Sequence, residues 1–380
     1  MSASRARASV PAAPGRPNAR NETISNGAPA ILVRQIRNGI VESIHRGHVV
    51  EVDVSGRLIR SIGNPDVVVN LRSCVKPFGL LALVEAGGID ALELSAAELA
   101  IMASSHSGED IHVRTLQAVY RRANVSQAVL ACGNEGMPLD ALTAARLARD
   151  GERAGPIRHM CSGQHSSMIL LARLMNWSLE DYWQPEHPSQ EAYRAMVAAV
   201  FRVAPDQLVR SIDGCGIETY AFPLAEVARA YAFLADPASV PVGDHRSRLA
   251  ASMTRIRDAM LAHPEMVAGS RERLDTSLMK ALPGRIVSKG GMEALRGLAI
   301  LGSDRRQSSG MALKIEDGDG HQRASSAATV EALRQSGILD GPPLREMARY
   351  HRPASLDPHG RVAAEAIADF DLAPVGELIG

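Results

Sequence analysis

The chain has 380 residues, and its 42 basic side chains are balanced by 42 acidic ones. That balance argues against a general polyanion binder, and aromatics at only 3% disfavour a base-stacking platform. The length suits two or three small units or one large α/β domain, and no run of about 18 apolar residues marks a transmembrane helix.

Residues 1–29 are rich in Ala, Arg, Ser, Pro and Asn and lack the apolar core of a secretory signal. They read as a disordered tail, with a transit peptide as the other reading of an Arg-rich, acid-poor start. Short strands are expected over 31–61, where "VVEVDVSGRLIR" alternates around a Ser55-Gly56 turn and predicts a hairpin. The apolar spacing from Val75 to Val84 predicts a helix stopped at Gly87-Gly88. Two further helices flank a polar break at Ser104 to Gly108, and "LDALTAARLARDG" forms another, closed by Gly151. "CSGQHSSMILLARLMNW" reads as a turn running into an apolar helix, followed by the amphipathic "HPSQEAYRAMVAAVFRV". A short strand at Val209 to Ile212 and helices at 223–235 and 246–262 come next. Between 285 and 317 the runs "RIVS", "GLAIL" and "MALKIE" suit sheet strands. A helix near 325–336 and a weaker tail close the chain. The fold class is mixed α/β, an α+β sandwich in which strands from both chain ends share one antiparallel sheet and the central helices form a second lobe.

The basic residues are unevenly chosen: 38 are Arg and four are Lys, at Lys76, Lys280, Lys289 and Lys314. Arg replaces Lys freely on a solvated surface but cannot supply a neutral amine. Each remaining lysine is therefore a chemical suspect. Ser73-Cys74-Val75-Lys76 is an SxxK at a helix start, and positions i and i+3 share a face. A serine needs a base, and a lysine serves only if burial or a nearby cation lowers its pKa. The plain alternative is an N-cap serine before a surface lysine. Ser104-Ser105-His106-Ser107 at the polar break offers hydroxyls and an imidazole, or simple helix capping. Ser288-Lys289-Gly290-Gly291 puts a lysine where backbones approach closely, or merely ends a strand.

Of the four cysteines, Cys161 and Cys215 lie in the Gly-containing turns "CSGQH" and "DGCG". Two thiolates with a nitrogen donor suit zinc; two small buried apolar residues are the alternative. Without CxxC, the cysteines are expected to be reduced thiols, which places the chain in the cytoplasm. No GxGxxG or P-loop supports nucleotide binding.

Taken together, "GIVESIHRGHVVEVDVSGRLIRSIG", "LRSCVKPFGLLALVEAGG", "ASSHSGEDIHV", "CSGQHSSMILLA", "IDGCGIETYAFPLAEVARAYA" and "HPEMVAGSRERLDTSLMKALPGRIVSKGGMEAL" occur in order over roughly residues 30–330. The run resembles the asparaginase II family, the rhizobial-type L-asparaginases. The resemblance implies one catalytic domain over 30–380 with a fold similar to serine β-lactamases and penicillin-binding proteins, and a homodimer. It also implies hydrolysis of the L-asparagine side-chain amide through two Ser-Lys tandems. Ser73 with Lys76 matches one tandem and Ser105 with Lys289 the other. Arg72, His165 and Asp213 match residues around the substrate, and Cys161 and Cys215 match two zinc thiolates. Two positions depart from the family pattern. Gln164 stands where the family's CSGKH turn has a lysine zinc ligand, and "CGNEGMP" replaces a tighter turn. A glutamine amide is a weak zinc ligand, so Cys161 and Cys215 are expected to hold zinc weakly, with His165 or water, or to stand empty. Zinc is expected to be dispensable because the Ser and Lys residues supply the chemical step.

On this reading Ser73 is the preferred nucleophile, one helical turn from Lys76, with Ser105 as alternative nucleophile or proton relay. Lys289 keeps its partner lysine neutral or protonates the leaving ammonia. Arg72 and Asp213 hold the substrate carboxylate and ammonium. Competing readings are glutamine hydrolysis, a β-lactamase or peptidase with "SKGG" in place of KTG, and an asparagine binder impaired in catalysis.

Overall fold

The computed structural model describes residues 28–133, 137–241 and 243–375. The proposed tail therefore lies outside the described residues except for its last two, as do three residues of the "CGNEGMP" turn. The strands are β1 Ala30–Arg37, β2 Ile40–Asp53, β3 Leu58–Ile62, β4 Val68–Asn70, β5 Val209–Ile212, β6 Glu218–Pro223, β7 Ile286–Gly290, β8 Leu295–Ile300, β9 Ser309–Ile315, β10 Ala354–Leu356 and β11 Val362–Ala368. The main sheet runs β10-β11-β1-β2-β9-β8-β7, with β3 added on β2. Its pairings are antiparallel throughout. A small second sheet runs β4-β6-β5.

The expected sharing of one sheet by the two chain ends is observed, because β1 and β2 pair with β11 and β9 respectively. The hairpin around Ser55-Gly56 is β2–β3. Every residue of β8 is buried, so the centre of the sheet is covered on both faces. The helices Leu224–Ala235 and Ala324–Gln335 pack on the sheet and supply that cover. The "weaker tail" is more structured than the sequence suggested: β11 inserts Ala364 and Ala366 into the core beside β1. Its "VAAEAIA" is mostly alanine, whose small apolar area leaves a faint alternation.

Two close approaches fix the helical lobe relative to the sheet. A Cβ on Gly297 of β8 would lie 2.1 Å from the Tyr231 ring, so only glycine lets that ring lie flat on the strand. The Tyr231 hydroxyl then donates to the Cys74 carbonyl at 3.0 Å, tying the sheet-covering helix to the turn that carries Ser73. Within the lobe, a Cβ on Gly163 would stand 1.9 Å from the Ile101 carbonyl oxygen. The helix Ser162–Leu174 thereby packs backbone to backbone on the helix Ala96–Met102. The latter is started by a reciprocal Ser95–Glu98 capping box. The predicted helix over 75–84 is divided into a 3-10 turn Arg72–Val75 and short helices Lys76–Gly79 and Leu81–Glu85.

Candidate active site

Three separate segments converge where the sheet meets the lobe. Lys76 opens the helix after the 3-10 turn. Ser105 sits in the extended break between the helices Ala96–Met102 and Asp110–Arg122. Lys289 lies near the end of β7, paired with Gly297. The Lys289 amine donates to Ser105 Oγ at 2.8 Å, and the Lys76 amine reaches the same oxygen at 3.1 Å. Both lysines are essentially inaccessible, at 1% exposure for Lys76 and 0% for Lys289. Lys76 also donates to the Ser104 carbonyl at 2.7 Å, and Lys289 to the Gly290 carbonyl at 2.7 Å. The Ser105 backbone is pinned at both ends: its N–H donates to Val267 O at 2.9 Å, and its carbonyl accepts from Arg273 at 3.0 Å.

Burial, followed by the charge of Lys76, lowers Lys289 to about 7. Near neutral pH the Lys289 amine therefore spends part of its time uncharged, with a lone pair facing the Ser105 hydroxyl. That is the condition for a lysine base.

The SxxK expectation is altered by this geometry. Ser73 is buried in the 3-10 turn but does not cap the following helix. Among the described residues its hydroxyl makes no hydrogen bond, and Lys76 turns to Ser105 instead. The Lys76 N–H closes the 3-10 turn on the Ser73 carbonyl, while its amine is taken up by Ser104 O, Ser105 Oγ and Cys161 Sγ. Arg72 adopts φ +46°, a left-handed conformation for a bulky residue. Its N–H is held by Thr219 Oγ1 at 3.0 Å. Its guanidinium grips Asp213 through two bonds, at 3.0 and 3.1 Å, and this pairing raises its pKa. The two residues expected to clamp a zwitterion thus lie side by side at the mouth of the turn.

Lys76 donates to Cys161 Sγ at 3.2 Å, and Cys215 is the strongest influence on the Cys161 thiol. Cys215 and the Lys76 charge together hold the Cys161 thiol well below the usual range, while Cys161 and burial push the Cys215 thiol up. The amide nitrogen of Gln164 donates to Tyr193 OH at 2.9 Å. His165 is fully buried; its Nδ1 meets Tyr182 OH at 2.7 Å, and its Nε2 has no partner among the described residues. Burial pushes its pKa down to about 3. No three His, Cys, Asp or Glu side chains converge to hold a metal among the described residues. The Gln164 amide, committed to Tyr193, is a poor substitute for a lysine zinc donor, and no chemical step is assigned to a metal.

Sequence reasoning missed Arg273 and Asp275, although both lie inside a quoted motif. The available signal was the charge in "RLDTSLM", where an acidic residue sits on a helix that also buries Leu274, Leu278 and Met279.

With this geometry in hand, the sequence model of the L-asparaginase II family matches residues 33–367. The chain belongs to the L-asparaginase II family. As a member it is an amidohydrolase. No curated protein matches the chain. Solved structures similar to it include Mglu (14% identity, TM-score 0.35, covering 78% of this chain and 68% of that one). A Bacillus glutaminase in 4.3 M NaCl shows 10% identity and a TM-score of 0.37 over 77% of this chain and 91% of its own. A probable glutaminase from Bacillus subtilis complexed with 6-diazo-5-oxo-L-norleucine shows 12% identity and a TM-score of 0.38 over 79% of this chain and 87% of its own. No helix among the described residues of this family member is long and apolar enough to cross a membrane.

Proposed function

We propose that this amidohydrolase hydrolyses the side-chain amide of L-asparagine to aspartate and ammonia through an acyl-enzyme on a lysine-activated serine. The observation that carries the reading is the meeting of two buried lysine amines on Ser105 Oγ. Neutral Lys289 takes the Ser105 proton as the oxygen attacks the amide carbon. The proton then passes to the leaving nitrogen, which departs as ammonia. Water attacks the ester, with the same amine as base, and aspartate is released. The bidentate Arg72–Asp213 pair opens to the substrate, Arg72 taking its carboxylate and Asp213 its ammonium.

A second assignment within this mechanism has its own support. The Ser73 hydroxyl makes no hydrogen bond among the described residues, and it follows the strained Arg72. On that assignment Ser73 attacks and Ser105 relays its proton to Lys289. Rapid acid quench and mass spectrometry of the Ser73→Ala and Ser105→Ala variants separates the two, since only the variant retaining the nucleophile carries an aspartyl adduct.

Substrate identity is tested by ammonia release from L-asparagine and L-glutamine side by side. One methylene is worth only about 1–3 kcal/mol of discrimination, so a glutamine preference is the outcome that would replace this substrate assignment. A cytoplasmic homodimer that needs no cofactor is part of the same proposal, resting on the family resemblance and the reduced cysteines.

A further inference from the structure

Asp275 brackets Lys289 from the neighbouring helix. The helix Leu274–Ala281 packs on β7, and it presents the Asp275 carboxylate to the residues on either side of the lysine. Ser288 Oγ donates to one oxygen at 2.6 Å, and the Gly290 N–H donates to the other at 3.0 Å. Arg296, which pairs with Gly290 across β7–β8, forms an ion pair with Asp275 and donates to Ser288 Oγ at 3.1 Å. The strand end that carries Lys289 is thus held at two points by a carboxylate with no direct contact to the lysine amine. An apolar residue at 275 could not hold it, because the Gly290 N–H would be left without its partner.

We infer that Asp275 is a positioning residue: it fixes the strand end so that the Lys289 amine meets Ser105, and its charge sets how readily that amine holds its proton.

The charged and titratable groups around Lys289 come from four places. Lys76 faces it from the lobe, Cys74 from the 3-10 turn, and Arg273 and Asp275 from the helix and its N-terminal flank; Arg296 stands on β8 beside Asp275. Burial, Lys76 and Arg273 favour the neutral amine, whereas Asp275 and Cys74 favour the ammonium. Burial would raise the Asp275 carboxyl itself, but Arg296, Lys289 and the Ser288 hydrogen bond outweigh it and hold it well below the usual carboxylate range. It is therefore a fixed negative charge across the working pH range.

The inference rests on the proposed role of Lys289 as base, but its test does not need turnover. The chain has only four lysines, so 13C-lysine labelling gives four side-chain signals, assigned by single substitutions. The Lys289 signal is expected to titrate near 7 in the unaltered protein. In Asp275→Asn its midpoint is expected to fall by about one pH unit, the lower end of what a neighbouring charge does. Ser288→Ala removes one hydrogen bond and no charge, and is expected to leave the midpoint in place. If burying Arg296 without its partner unfolds Asp275→Asn, the pair Asp275→Asn with Arg296→Gln removes both charges and replaces it. In that variant both charges are gone, so turnover is the readout, and unchanged turnover overturns the inference; in the single variants an equal midpoint shift in Ser288→Ala overturns it as well. Asp275→Glu is expected to restore the midpoint while lowering kcat, because the charge returns but the two-point grip does not. If Lys289 shifts as expected in a protein that releases no ammonia, the functional reading fails and the role of Asp275 stands.

Discussion

Lys289 Nζ lies 2.8 Å from Ser105 Oγ, although the two residues are 184 positions apart in the chain. Their meeting, with Lys76 at 3.1 Å from the same oxygen, gives one buried hydroxyl two amine partners. The charge of Lys76 helps keep Lys289 in its basic form, so the two lysines have unequal tasks.

Replacing either lysine by arginine tests that inequality. Lys289→Arg keeps the charge but removes the lone pair, and kcat is expected to fall by at least about a hundredfold, the lower range for a lost general base. Lys76→Arg is expected to fall similarly, since the fork of a guanidinium does not fit between Ser104 O, Ser105 Oγ and Cys161 Sγ. Steady-state ammonia release measures both. Near-normal turnover in either variant removes that lysine from the mechanism.

The pH profile follows from the Lys289 amine. Activity is expected to rise with pH through an acid limb near 7, because the base must be neutral. A kcat/KM profile with no limb between pH 6 and 8 contradicts the assignment.

Stability has a pH signature of known sign. Lys289 titrates at about 7 when folded, against roughly 10.4 for an unperturbed lysine. Between those values the unfolded chain binds the extra proton, so this group makes stability rise with pH across that window and contributes no slope below it. The stability gained by Lys289→Met is therefore expected to shrink from pH 7 toward pH 10, as read by urea unfolding. A difference constant over that range shows that Lys289 is not depressed.

Metal removal tests the donor set at Cys161 and Cys215. The purified protein is expected to hold well under one zinc per chain, and chelation is expected to leave turnover unchanged. Stoichiometric zinc with loss of activity on chelation reverses this.

The backbone contact at Gly163 offers a check on the lobe. Gly163→Ala forces a Cβ against Ile101 O and is expected to lower stability by about 1–3 kcal/mol. Gly155→Ala, which meets nothing within 4 Å, serves as the control. Equal unfolding midpoints show that the two helices are not packed as described.

The sequence by itself determined the mixed α/β class, the β2–β3 hairpin, most of the helices and the short list of chemical suspects. These are written in local signals: alternation, 3.6-residue periodicity, Gly punctuation, and lysines kept in a chain that otherwise uses arginine. Tertiary structure decided which serine hydroxyl the two lysine amines bond. Spacing joined Ser73 to Lys76, whereas the Lys76 amine bonds Ser105 Oγ across 29 positions. It also decided that Arg72 and Asp213 pair with each other, that Gln164 turns to Tyr193, and that Asp275 brackets Lys289. Each of these contacts joins distant parts of the chain, or depends on burial that lowers an amine or leaves a carboxylate with fixed partners. Residue type and spacing encode neither, because both arise only when the sheet and the lobe close on one another.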